Sequence, residues 1–313
     1  MKQKTPFEDG NYYHKFSTFL KNRFGERVQK ITINADFTCP NRDGQAGEGG
    51  CIYCNNLGFN VNVRRKPASI KEQIESGITH GHARKIKRFM AYFQPFSNTY
   101  DTVANLKTRY DEILPFPEIV GLAIGTRPDC VDEEKLALID GYTKKHMVWI
   151  EYGLQTIHDR TLALINRGHD YLAFKNAIAL TNVHAKILIC VHMILGLPGE
   201  THDDMLASAR ALAELPIHGI KLHPLHIVKN TVLEEQHKEH KYVPLSFDQY
   251  IKVSCDFLEL LPPHIIVQRL TGDAPEDLLI GPAWVKRKMA ILNAIDNEFR
   301  RRGTYQGTKY LRT

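Results

Sequence analysis

Three of the six cysteines crowd into one stretch, Cys39-Pro-Asn-Arg-Asp-Gly-Gln-Ala-Gly-Glu-Gly-Gly-Cys51-Ile-Tyr-Cys54, a C-x11-C-x2-C spacing. Thiolates are the usual ligands of iron–sulfur clusters, and a cubane takes four. Three would leave one iron open to an exogenous chelating ligand. The glycine-rich intervening loop has the backbone freedom to fold tightly around such a centre. Spacing alone keeps two other readings open. One is a structural zinc site, which normally needs four protein ligands and would have to recruit His80 or His82. The other is unliganded thiols. Cys130, Cys190 and Cys255 lie far apart and read as small buried hydrophobes.

A secreted disulfide framework would be shorter and denser in cysteine, so a reducing compartment, the cytoplasm, is expected. The longest apolar run, Ile187–Leu197, is interrupted by Cys190 and His192. It falls well short of the roughly 20 residues a membrane span needs, so no membrane partner is expected. Met1–Gly10 lacks the apolar stretch of a secretory signal.

The elements that must position the thiols follow from periodicity. Short β-branched or aromatic runs at 28–35, 87–94, 119–126, 147–155, 185–195, 219–228 and 264–270 alternate with helical patterns, the signature of parallel βα units. Between them, Val103, Leu106, Tyr110 and Ile113 share one helical face. Asp132, Asp170, Thr201 and Ser246 fit as N-caps, and Asp204 three residues after Thr201 approaches a capping box. The pattern implies an α/β fold, a partial (β/α)6 TIM-type barrel over 1–230 with a cluster loop at 36–56. A C-terminal helical, basic extension over 231–313 would pack on it. Barrel chemistry sits at the carboxyl ends of strands. Asp36–Cys39, Gln94, Thr126–Arg127, Gln155, Gly196–Glu200 and His223–His226 all fall at those ends.

On the cysteine segment 39–55, AYFQPFSNTY (91–100), IGTRPDC (124–130), EYGLQT (151–156), NRGH (166–169), HMILGLPGET (192–201) and KLHPLHIV (221–228), the chain resembles the radical SAM superfamily. The resemblance spans about Tyr12 to Tyr310 and is specifically to the YhcC/YtqA-type branch related to the Elongator catalytic subunit. It implies a [4Fe–4S] cluster on Cys39, Cys51 and Cys54, with S-adenosylmethionine (SAM) chelating the open iron. Tyr53 would lie near the adenine. Gln94 stands where other members carry a glycine-rich segment that meets the methionine amine. Glu151, Gln155 and Arg167 are expected at the ribose and the methionine carboxylate, His192–Gly196 against the adenine by backbone contacts, and Thr126 and Arg127 among the cofactor-binding groups. SAM presents a carboxylate, an ammonium, a diol and an adenine edge, which call for a cation, acceptors and exposed backbone groups. An electron donor such as flavodoxin or ferredoxin is the expected partner.

The substrate clue is charge. Trp284–Thr313 holds eight Lys/Arg against Asp296 and Glu298, a net of +6 that equals the formal charge of the whole chain. Lys286, Arg287, Lys288, Arg300, Arg301 and Arg302 could share one face of a helix over about 282–302, with Met289, Leu292, Ile295 and Phe299 on another. Such a face suits a phosphate backbone, and Tyr305 and Tyr310 offer stacking surfaces. The same charges also suit a solvated helix face. The Elongator resemblance leans toward tRNA, with wobble uridine carrying carboxymethylaminomethyl converted to aminomethyl. No acetyltransferase domain is expected. Radical chemistry on a small metabolite or peptide, and a zinc-stabilised RNA-binding module, are the alternatives. His223 and His226 fit a substrate role or satisfied barrel histidines equally well.

Overall fold

The computed structural model describes residues 5–55 and 68–311. Asn56, at the end of the expected cluster loop, and Arg312, in the basic tail, lie outside the described residues. In chain order the elements are α1 (Phe16–Phe24), β1 (Val28–Ile33), α2 (Ile70–His82), β2 (Arg88–Phe93), α3 (Val103–Asp111), β3 (Ile119–Thr126), α4 (Glu133–Gly141) and β4 (Met147–Gln155). Then come α5 (Asp159–Leu164), α6 (Tyr171–Asn182), β5 (Ile187–Leu195), α7 (His202–Ala213), β6 (Gly219–Pro224), β7 (Ile227–Val228) and α8 (Val232–Lys238). The chain finishes with α9 (Phe247–Leu260), β8 (Ile266–Arg269), β9 (Leu279–Gly281) and α10 (Lys288–Arg302).

Seven strands pair in the order β1-β2-β3-β4-β5-β6-β8, every neighbour parallel, giving the curled half-barrel of a partial (β/α) barrel. Its strands are buried on both faces and therefore read as near-continuous apolar runs. The caps foreseen at Asp132, Asp170, Thr201 and Ser246 each accept from the backbone N–H three residues on, and Thr201–Asp204 and Ser246–Gln249 close full capping boxes. Asp132 and Thr201 start their helices within about six residues of the end of β3 and β5, whereas α5 precedes the helix capped by Asp170 and α8 the one capped by Ser246. At the opposite end, Phe16 and Phe19 of α1 meet Trp149 edge-on at 5.7 and 6.2 Å and close the base of the half-barrel.

Two expectations need correction. The run 219–228 is not one strand: β6 stops at Pro224, which has no N–H to continue a ladder, and Ile227–Val228 turns away to pair antiparallel with β9. The helix expected from 282 begins only at Lys288, after a 3-10 turn at Ala283–Lys286 and a non-helical Arg287 (φ −89°, ψ 57°). Its buried stripe is Ile291, Ile295 and Phe299, facing α9, while Met289 is 64% exposed. The C-terminal segment is also more than a cover, because β8 supplies the seventh strand.

Candidate active site

At the carboxyl ends of the strands opens a cavity of about 410 Å³, lined by all three cysteines of the loop after β1. That loop is held by its own backbone: Arg42 N–H donates to Cys39 O at 2.8 Å, Ala46 to Pro40 O at 2.7 Å, Gly50 to Asn41 O at 2.8 Å and Cys54 to Cys51 O at 2.8 Å. It also leans on the turn after α5. Ile52 N–H donates to Ile165 O at 3.1 Å, and Asn41 Nδ2 donates to Asn166 O at 2.5 Å. Gly168 there has φ +74° and would push a Cβ to 2.5 Å from Asn41 Oδ1, so both conformation and space demand glycine.

Arg167, 8% exposed, spans this wall. Nη1 lies 3.6 Å from Cys51 Sγ and Nη2 donates to Gly153 O at 2.6 Å. Arg127 fixes its backbone, donating to Arg167 O at 2.6 Å while it grips Asp129 at 2.9 and 2.6 Å. Thr126 and Thr99 share a 2.6 Å bond beside it. Burial, with Cys51 alongside, pushes the Cys54 thiol up to about 12. A thiol that resists ionisation by itself calls for a cationic centre to bind as thiolate. Arg167 Nε and Asn41 Oδ1 are buried with no hydrogen-bond partner, so polar capacity beside Cys51 remains unused.

These residues fit a [4Fe–4S] cluster: three thiols on one wall, a buried guanidinium beside the sulfurs and open cavity in front. Zinc fits poorly. Among the described residues no three His, Cys, Asp or Glu side chains converge on a single ion, whereas a tetrahedral zinc draws four ligands to about 2.3 Å. A cubane spreads its thiolates over separate irons. His80 and His82 end α2 beside Phe89 at the start of β2, the far end of the barrel.

The opposite wall is built on strands. Glu151 (β4) has no exposed surface. It accepts from Lys30 (β1) at 2.7 Å and from His192 Nε2 (β5) at 2.9 Å, and pairs closely with Lys221 (β6). Lys221 also donates to Tyr92 OH at 3.1 Å and Lys30 to Gln268 Oε1 at 2.8 Å. Burial alone would raise the Glu151 carboxyl, but Lys221, Lys30 and the His192 hydrogen bond outweigh it and hold it well below the usual range. Burial pushes Lys221 down to about 7 despite Glu151, and brings His192 down to about 4 with help from Lys221. At neutral pH the His192 ring is therefore uncharged and donates to Glu151.

Tyr53, Gln94, Thr126, Arg127, Gln155, Arg167, His192, His223 and His226 line the cavity, and of these Gln94, Thr126, Arg127, Gln155, His223 and His226 belong to the strand-end pattern. Glu151 lines it too, with both oxygens engaged by Lys30, His192 and Lys221. The His192 side chain belongs to the same network. Gly196 lies behind the wall: its carbonyl accepts from Tyr242 OH at 2.8 Å, and a Cβ there would meet Leu245 at 2.8 Å. Lys30, Arg269 and Asp273 lie outside the sequence motifs, and Tyr92 and Lys221 lie inside two of them without an expected role. A charge inside an apolar strand is almost never buried unless paired, and VQKITI and MVWIEYGLQ both carry that signal.

The basic residues part into two groups about 20 Å apart, because α10 runs fifteen residues between them. α10 lies parallel to α9: Arg287 stacks on Phe247, Cys255 contacts Ile295, and Arg302 reaches Glu259. Lys286–Lys288 thus sit at the cavity end, next to Val285, which packs on Gly272 beside His226. Arg300–Arg302 sit at the base. Arg302 is 13% exposed and locked to Asp256 at 2.6 Å, Glu298 at 2.7 Å and Glu259 at 3.2 Å, so its charge is already met inside the fold. Arg301 pairs with Glu298 and Arg300 bonds Asn297. No described helix is long and apolar enough to cross a membrane.

Residues 41–212 match the radical SAM superfamily and residues 217–301 the radical SAM C-terminal domain. The Bacillus subtilis (strain 168) protein YtqA is 37% identical over 316 residues, covering 100% of this chain and 98% of the relative. A tRNA uridine(34) acetyltransferase of Dehalococcoides mccartyi (strain CBDB1) is 32% identical over 160 residues, 50% of this chain and 34% of that protein. The archaeal Methanocaldococcus infernus Elp3 superposes with a TM-score of 0.67 at 15% identity, over 89% of this chain and 64% of that one, a likeness of fold.

Proposed function

The chain belongs to the radical SAM superfamily, and from that premise we propose that it modifies tRNA at the C5 substituent of wobble uridine. Its cofactors are a [4Fe–4S] cluster and SAM, and it needs a reductant. When bound, the reduced cluster supplies the electron that splits SAM into methionine and the 5′-deoxyadenosyl radical, which takes a hydrogen atom from substrate.

The protein's share is positioning. Cys39, Cys51 and Cys54 would hold the cluster, and Arg167 would place a guanidinium beside its sulfurs. Tyr53, Gln94, Thr126, Arg127 and Gln155 border the space that SAM would fill. The Glu151 network would keep the facing wall rigid and polar, with His192 neutral. Flavodoxin or ferredoxin would deliver the electron.

The observation that carries the tRNA reading is the match over half the chain to a tRNA uridine(34) acetyltransferase. A second supports it: of the basic residues, Lys286, Arg287 and Lys288 lie on the cavity side, where an RNA backbone could follow them. Anaerobic reduced enzyme, SAM and tRNA bearing 5-carboxymethylaminomethyluridine should yield 5′-deoxyadenosine and the aminomethyl nucleoside. A yield no higher than the RNA-free background would reject this reading.

A further inference from the structure

Beyond the cysteine wall and the Glu151 network, one part of the cavity has no role so far: the end of β8 and the turn after it. Arg269 and Asp273 both line the cavity there. Arg269 is exposed, and among the described residues neither its guanidinium nor the Asp273 carboxylate has a hydrogen-bond or ion-pair partner, in each other or elsewhere. This contrasts with Arg127, Lys30, Lys221 and Glu151, which are all paired.

The direction of Arg269 comes from a register shift. β6 and β8 pair Gly219 with Ile266 and Ile220 with Val267, then skip Gln268, so that Lys221 faces Arg269. Such bulges re-aim side chains beside active sites. Lys221 points into the half-barrel toward Glu151 and Tyr92, and register partners on adjacent strands share a face. Arg269 is thereby set above Lys221, where two ammonium groups face a single carboxylate and leave a surplus positive charge. Asp273 follows four residues on, past Gly272, whose added Cβ would meet His226 Nδ1 at 3.2 Å. The turn thus folds back over the β6 end of the cavity.

An unpaired guanidinium over a positive layer calls for an anion, and the planar fork suits a carboxylate. An unpaired carboxylate a few residues away calls for an ammonium. We infer that Arg269 and Asp273 form a receptor for an aminoacetate group, Arg269 taking the carboxylate and Asp273 the neighbouring secondary ammonium. The inference rests on the proposed substrate class, since a carboxymethylaminomethyl side chain ends in that group. It would place the methylene between the two charges in the cavity faced by the cysteines, and would let the enzyme reject uridines lacking the carboxylate.

Two measurements test it. In the first, initial rates on tRNA bearing 5-carboxymethylaminomethyluridine are compared for wild type, Arg269→Ala, Arg269→Lys and Asp273→Asn. Iron content and substrate-free 5′-deoxyadenosine formation report that the fold and cluster are kept. Losing a charge-assisted bond should raise KM about tenfold to a hundredfold in Arg269→Ala and Asp273→Asn, with substrate-free cleavage within about twofold and partial rescue in Arg269→Lys. KM within about twofold of an active wild type in both would overturn the receptor. In the second, isotope-labelled N-methylglycine is titrated into cluster-loaded protein by NMR, against methylamine and acetate. Wild type should prefer N-methylglycine, and both variants should lose that preference. If it binds no better than methylamine and acetate, the receptor fails even where the tRNA reading holds. If it binds selectively while the tRNA is inert, the receptor stands and the tRNA reading falls.

Discussion

The two walls of the cavity are built on opposite principles. The cysteine wall is loop: Cys39–Cys54 has no ladder, and it holds shape through turn hydrogen bonds and the turn after α5. It leaves Arg167 Nε and Asn41 Oδ1 unpartnered and carries a thiol that burial keeps protonated. The Glu151 wall is sheet: Lys30, Glu151, His192 and Lys221 come from four strands and satisfy one another in the barrel interior. One wall is incomplete until a ligand arrives; the other is complete as folded. A site that must both accept a large cofactor and position it needs each kind, since adaptable loops fit the ligand and strands set the distances.

The sharpest way to break this contrast is at the thiols. Replacing Cys39, Cys51 or Cys54 by alanine should lower 5′-deoxyadenosine formation by about a thousandfold or more, with iron and sulfide lost, because each removes one of the three thiolates proposed to hold the cluster. Melting of the apo protein should barely change, as the loop is not what holds the barrel together. Iron retained at wild-type level would refute the ligand assignment. The Glu151 wall should behave in the reverse manner. Glu151→Gln leaves two ammonium groups facing no carboxylate and should cost about 3–5 kcal/mol in chemical denaturation. Combining it with Lys221→Met should recover part of that loss, since contacting residues couple; strictly additive losses would show that the network is not one.

Acid should separate the walls next. The His192 pKa is depressed to about 4 by burial and by Lys221, so the unfolded chain binds a proton between about pH 6.5 and 4 that the native state refuses. Stability must fall as pH drops through that window, by about 3 kcal/mol for this group. Glu151, held ionised well below its ordinary range, adds to the loss at still lower pH. Denaturation midpoints from pH 7 to 4 should decline in wild type and flatten in His192→Gln; parallel curves would remove His192 as the cause.

The smallest effect concerns the two basic groups. Replacing Lys286, Arg287 and Lys288 by alanine should weaken tRNA binding about tenfold and reduce the salt slope by up to about three. Arg300→Ala with Arg301→Ala should stay within about twofold, being at the base. Filter binding across a salt series reads both, and equal losses would mean that the RNA wraps the whole of α10.

All seven sheet strands were legible because parallel strands buried on both faces are written as local apolar runs, and apart from the carboxyl end of β6 their ends followed within a residue or two. The caps were legible for the same local reason. The break at Pro224 was visible as a residue, but only pairing with β9, more than fifty residues later, turned it into a strand boundary. Lys30, Glu151 and Lys221 each advertise a buried charge in an apolar strand, yet nothing along the chain says that they share one cluster. Nothing local in the basic tail indicates that Asp256 and Glu259 of α9 take Arg302.

By itself the sequence determined the chemistry on offer, three thiols at C-x11-C-x2-C on a strand-end loop, and the order of elements presenting them. Both are set by residues within a few positions of each other. The tertiary structure alone decided which charges meet, which end of α10 borders the cavity, and that one skipped residue in β8 turns Arg269 inward beside Lys221. Those outcomes depend on register between strands and on the packing of helices distant in sequence, so no local pattern encodes them.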